Sequence, residues 1–112
     1  MAKIHDKMIT IGTPFYYTDQ YRRMIEEHRL YFRKQAEHDP KVVNDKLAYK
    51  YEGNFYGLLT ELRYKRQYFW AIMRINGFMR PEDYKSESTI LVPSLKEIDK
   101  QVQILTVKKY AF

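Results

Sequence analysis

Lys50-Tyr51-Glu52-Gly53-Asn54, the apolar run Phe55-Tyr56-Gly57-Leu58-Leu59-Thr60-Glu61-Leu62, then Phe69-Trp70-Ala71-Ile72-Met73-Arg74-Ile75-Asn76-Gly77-Phe78, and finally Ile90-Leu91-Val92-Pro93 read as strand, helix, helix, strand. Lys46–Tyr51 can form either the end of a helix or a strand with Leu47, Tyr49 and Tyr51 on one face, and the strand is expected, over Tyr49–Tyr51. Gly53 permits a tight turn, and Asn54 offers a short side-chain oxygen to the orphan amides of the next helix. Gly57 inside that helix costs about 1 kcal/mol relative to Ala, which points to close approach of another backbone. In the second helix, expected from Gln67 to Asn76, Phe69, Ile72, Met73 and Asn76 share one side with Trp70 on the flank. Gly77 fits the left-handed position just past the helix end. Thr89–Val92 forms the returning strand, stopped by Pro93. The expected core is Phe69, Trp70, Ile72, Met73 and Leu91. For Trp70 the competing reading is a sugar-stacking platform. For Asn76, hydrogen bonding to backbone at a helix end competes with contact to a ligand.

On the N-terminal side, residues 8–17 read as a short strand broken by Gly12 and Pro14, lying against another element or another chain. Thr18 or Asp19 caps a long helix through Arg33, with Tyr21, Met24, Ile25, His28 and Phe32 on its apolar face. His28 reads as a half-buried, satisfied histidine. Asp39-Pro40 ends the helix, because the residue before proline is pushed out of the α region. On the C-terminal side, Ser94-Leu95-Lys96-Glu97 matches a capping box and opens a helix to about Gln101. Gln103 to Phe112 alternates enough for a last strand. The chain thus divides into an N-terminal segment and long helix (1–43), a central module (44–93) and a C-terminal helix and strand (94–112).

With 112 residues there is room for one domain and a modest core. Aromatic content is 16%, led by eleven Tyr, and tyrosine suits half-wet contact surfaces. The net charge of +6 raises the question of nucleic acid, but the 20 basic residues split evenly, ten in residues 1–60 and ten in 61–112, with no dedicated arm. The one local concentration, Arg63, Lys65 and Arg66 between Tyr64 and Tyr68, is explained by a solvated helix junction. Cysteine is absent, and His5, His28 and His38 have no companion at ligand spacing, so neither metal nor cofactor is expected. No apolar run approaches the roughly 20 residues of a membrane span, and Met1–Asp6 lacks a signal-peptide core, so no membrane partner and no independent export are expected. Glu26-Glu27 and Glu82-Asp83 are adjacent pairs, about 100° apart on a helix, and do not face a common bond as paired catalytic carboxylates must.

The order of elements resembles the LysM module: strand, Gly-Asp-type turn, two helices with Asn ending the second, and an apolar strand closed by proline. Gly53, Asn54, Asn76, Gly77 and Ile90-Leu91-Val92-Pro93 occupy those places. The segment Tyr68-Phe69-Trp70-Ala71-Ile72-Met73-Arg74-Ile75-Asn76 is similar to the aromatic helix of the LysM-like baseplate wedge protein of contractile-tailed bacteriophages, with Pro81 following as that family has it. The resemblance covers about residues 46–93. It implies an α+β fold, a small LysM-like βααβ core extended by a long N-terminal helix and a C-terminal helix and strand.

For function, the resemblance implies a non-catalytic virion protein, assembled in the host cytoplasm and bridging neighbouring tail or baseplate subunits. The expected assembly contacts are Ile9, Ile11, Phe15, Tyr16, Tyr17, Tyr110 and Phe112. The rival is a peptidoglycan- or chitin-binding module. Glycan-binding LysM units carry a Pro-Gly-Gln-like turn before the last strand, whereas Lys85-Ser86-Glu87-Ser88-Thr89 has no glycine, which points to scaffolding. A basic nucleic-acid-associated protein is a third reading.

Overall fold

The computed structural model of the chain describes residues 14–110, with side chains described from Phe15 to Thr106. These residues form six α-helices and one two-stranded antiparallel sheet, an α+β composition dominated by helix. The helices are α1 (Asp19–Glu27), α2 (Arg29–Glu37), α3 (Asp45–Lys50), α4 (Phe55–Glu61), α5 (Phe69–Ile75) and α6 (Leu95–Tyr110). The strands are β1 (Lys41–Val42) and β2 (Thr89–Ile90). One buried cluster runs from Tyr16 to Val102 and draws on all six helices.

Local capping behaves as the sequence dictates. Thr18 accepts from the Tyr21 amide to start α1, Asn54 from the Gly57 amide to start α4, and Ser94 Oγ from the Glu97 amide to start α6. Gly53 and Gly77 both adopt positive φ, at 75° and 86°. At the end of α5 the Gly77 amide donates to Arg74 O and the Phe78 amide to Met73 O, the paired bonds of a Schellman motif. The end of α4 repeats the motif with Arg63 in the glycine position: Arg63 donates to Thr60 O, Tyr64 to Leu59 O, and Arg63 sits at φ 70°.

The long N-terminal helix is two helices. The chain breaks at His28, whose backbone leaves helical geometry (φ −105°, ψ 11°) and whose Nδ1 lies 2.9 Å from Met24 O. Tyr21, Met24, Ile25 and Phe32 are buried as their spacing requires, but His28 is exposed. At the N-terminal end, Pro14–Tyr17 form a 3-10 helix where a strand is expected, and residues 8–13 of that expected strand lie outside the described residues.

Two further expectations fail for one reason: alternation over a short run does not specify a strand without a partner. Residues 49–51 are not a strand. Asn44 accepts from the Lys46 amide, Asp45 opens and Lys50 closes a helix in dipole-favoured order, and Ala48 is the residue it buries. The partner of β2 lies earlier, immediately after Pro40, with Lys41 opposite Ile90 and Val42 opposite Thr89. Likewise residues 103–110 of the C-terminal tail are no strand, and the rest of that expected strand lies outside the described residues. Ser94 to Phe112 contains neither glycine nor proline, and α6 continues through Tyr110, burying Ile98 and Val102 with Leu95 and Leu105 packed alongside at helical spacing.

Gly57 is also corrected. A Cβ there would meet the Asn54 side chain at 2.5 Å and the Tyr51 ring at 2.9 Å, not another backbone. The missing side chain lets Asn54 fold back over its own helix as a cap.

Candidate functional site

Three long-range clasps hold the helices. In the first, Tyr16 Oη donates to Asp99 Oδ1 at 2.6 Å, and Tyr68 Oη lies 2.7 and 2.8 Å from Oδ1 and Oδ2 of the same carboxylate. Two tyrosines from two 3-10 turns thereby meet on α6. Their rings pack edge to face, 5.8 Å between centroids, and the Tyr21 ring packs tilted against Tyr16 at 5.2 Å. Burial and then the hydrogen bond to Asp99 push the Tyr68 hydroxyl up to about 12, and the same causes raise Tyr16 further. The Tyr21 hydroxyl, raised chiefly by burial, has no hydrogen-bond partner among the described residues.

The second clasp joins α1 to α5. Arg74 is 9% exposed and pairs with Glu26, Nε to Oε2 at 2.5 Å and Nη2 to Oε1 at 3.1 Å, while Nη1 donates to Phe78 O. This hydrogen-bonded pairing holds the Glu26 carboxyl below the ordinary glutamate range. Glu26 is therefore a structural ion-pair partner, not merely part of a solvated face, and Asp83 accepts from the amides of Met79 and Arg80.

Asn76 makes the third. Its Nδ2 donates to Ile72 O and Leu91 O, and its Oδ1 accepts from the Leu91 amide at 2.8 Å. The amide side chain satisfies Leu91 as a neighbouring strand would, so β2 stops at Ile90 although its sequence continues apolar. Both polar ends of Asn76 are engaged by backbone.

Beside the first clasp, with Tyr16 in its wall, lies an aromatic groove of about 380 Å³. Four parts of the chain converge on it: Tyr16 and Tyr17 from the first 3-10 turn, Arg22 from α1, Tyr56 and Thr60 from α4, and Arg66, Gln67, Phe69 and Trp70 from the 3-10 turn (Arg66–Tyr68) leading into α5. Tyr56 and Phe69 rings pack at 5.3 Å. Arg22 lies over the Trp70 ring, its Cζ 5.5 Å from the centroid, a cation–π contact. Neither Arg22 nor Arg66 has an ion-pair partner among the described residues.

Of the expected core, Phe69, Ile72 and Met73 are buried. Trp70 and Leu91 are only partly buried and pack on the core from its edge, Trp70 as a groove wall. Among the expected assembly contacts, Tyr16 is 8% exposed and committed to Asp99, Phe15 is half-buried, and Tyr17 is 50% exposed. Tyr110 is the last described residue of α6, and Ile9, Ile11 and Phe112 lie outside the described residues. Arg22, Asp99 and the Glu26–Arg74 pair have no local sequence signature, because their partners stand 31 to 83 positions away.

The turn before β2 reaches a glycine-like conformation without glycine. Ser86 sits at φ 62°, and its hydroxyl donates to Glu52 Oε1 at 2.6 Å. Among the described residues no His, Asp and Glu cluster is arranged to hold a metal, and no helix is long and apolar enough to cross a membrane. No family model, characterised protein or solved structure matches the chain.

Proposed function

We propose that this chain is a structural, non-catalytic component of a bacteriophage virion, placed in the tail baseplate and bridging neighbouring subunits. The observation that carries the reading is the groove itself. Tyrosine, tryptophan and arginine are the side chains that dominate binding energy at protein interfaces, and here they converge from four elements on one recess. The polar side chains beneath are consumed in tying helices together, as a rigid bridging part requires. Support for a LysM-like core comes from the sequence of residues 46–93 and from the antiparallel pairing of β1 with β2 across an intervening run of helices. Here that run holds an additional helix, α3.

Trp70 at a groove wall favours a second reading, a glycan-binding module. Arg22 covers one face of the Trp70 ring, and a sugar stacks on an aromatic face, so that face is closed to it. Pull-down on purified peptidoglycan at low and high salt separates the two readings. Saturable, salt-resistant capture supports the glycan module, whereas charge-driven adhesion of a +6 chain fades as salt screens it. For the assembly reading, interrupting the gene in the phage that encodes it should yield particles with defective tails. Normal, infectious particles would overturn the proposal.

A further inference from the structure

We propose that the groove between α1, α4 and α5 receives an acidic peptide segment of a partner protein, with an aromatic side chain inserted against Tyr56 and Trp70 and its flanking carboxylates on Arg22 and Arg66. The partner's being a neighbouring virion subunit rests on the assembly reading above; the groove's chemistry does not.

Size and charge select this occupant. About 380 Å³ lies at the lower end of small-ligand pockets and fits one aromatic side chain with its adjoining backbone. Phe69, Tyr56 and Trp70 supply apolar walls, while Thr60 and Gln67 place a hydroxyl and an amide at the lining. The two guanidiniums come from different elements, one on α1 and one at the turn before α5, and neither is neutralised by an ion pair among the described residues. Of the other arginines, Arg74 is committed to Glu26, Arg33 to Glu37 and the Ile75 carbonyl, and Arg29 to Glu26, while Arg23, Arg63 and Arg80 do not line the groove. A planar guanidinium beside a ring is suited to bidentate capture of a carboxylate.

Nucleic acid also stacks on aromatics and pairs with arginine. Single strands, however, need a basic track following several successive phosphates, and only Arg22 and Arg66 among the lining residues are cationic.

Tyr16 is a positioning residue here. It forms part of the wall while its hydroxyl is held by Asp99, so the recess is shaped before any partner arrives.

The test uses the full chain and a fluorescein-labelled pentapeptide of tryptophan flanked by two aspartates on each side, read by fluorescence anisotropy. Saturable binding is expected, weakened about tenfold by Arg66→Glu and again by Arg22→Glu, with circular dichroism and melting of the exposed-site Arg66→Glu variant unchanged. A peptide with lysines in place of the aspartates should not bind. Trp70→Ala should also lose binding. Should that variant fail to fold, Trp70→Phe, which keeps a ring and loses contact area, gives an intermediate affinity. No saturable binding of the acidic peptide, equal binding of the lysine peptide, tighter binding of an oligothymidylate that competes with it, or self-association through the groove that Arg66→Glu abolishes would each overturn the proposal. Failure here alongside defective particles on gene interruption removes the groove and leaves the assembly reading. Peptide binding with normal particles removes the assembly reading and leaves the groove.

Discussion

Replacing Asp99 with Ala removes the acceptor of two tyrosine hydroxyls at once and leaves both facing a site from which water is largely excluded. Tyr16 and Tyr68 are 8% and 7% exposed, and their contacts to the carboxylate are 2.6 to 2.8 Å. A hydrogen bond to a charged partner contributes about 1.5–3 kcal/mol. Asp99 itself is half-buried, so the lower end applies, and two such bonds give about 3 kcal/mol. Against a domain stability of about 5–15 kcal/mol that is a large fraction. Tyr16→Phe and Tyr68→Phe, which keep the rings, should each cost about 1.5 kcal/mol. In the Asp99→Ala background each should cost near nothing, because the bond is already gone. Urea denaturation of the single and double variants, with midpoint and slope fitted separately, gives the coupling. A loss below about 0.5 kcal/mol for Asp99→Ala, or strictly additive double variants, would refute the claim that this carboxylate clamps α6 to the two turns.

Arg63→Gly should raise stability by about 1 kcal/mol by chemical denaturation, since Arg63 holds a left-handed conformation (φ 70°) that glycine adopts without strain. Tyr21→Phe should leave stability unchanged or raise it by about 1 kcal/mol, because the deleted hydroxyl is buried without a partner among the described residues; a calorimetric melt reads this directly. Glu26→Gln should destabilise by about 1–2 kcal/mol, a figure reduced from that of a fully buried pair because Glu26 is 39% exposed. Its folded-state pKa is depressed by Arg74, so its contribution is complete above the ordinary glutamate range and is lost as pH falls through the folded value. Acid titrations of melting temperature should therefore lose part of their slope in the variant. Tyr16, Tyr21 and Tyr68 act with the opposite sign: raised in the fold, they stabilise fully below the ordinary tyrosine value, and stability falls as pH rises beyond it.

The features legible in the sequence are those written within four residues. Thr18, Asn54, Ser94 and Gly77 declare helix ends because a cap and its amide are near neighbours in the chain, and Asn76 beside Gly77 marks a satisfied helix end for the same reason. Strand identity is settled by a distant partner. Lys41–Val42 carries no pattern of its own and is a strand because Thr89–Ile90 lies against it, while the alternating 47–50 and 103–110 segments, lacking such a partner, are helical. The break at His28 turns on a local contest for the Met24 carbonyl that periodicity does not register. Nothing local marks the groove: Arg66 reads as part of a solvated helix junction and Trp70 as core, and the arrival of Arg22 over Trp70 joins residues 48 positions apart.

The central claim is that this chain is a built-in part of a virion that bridges its neighbours. Quantitative mass spectrometry of purified, intact particles of the encoding phage, after a high-salt wash, tests it most directly. The account predicts the chain at a fixed copy ratio to the tail proteins, retained through the wash. Its absence from the particles, or its removal by salt alone, would contradict the account.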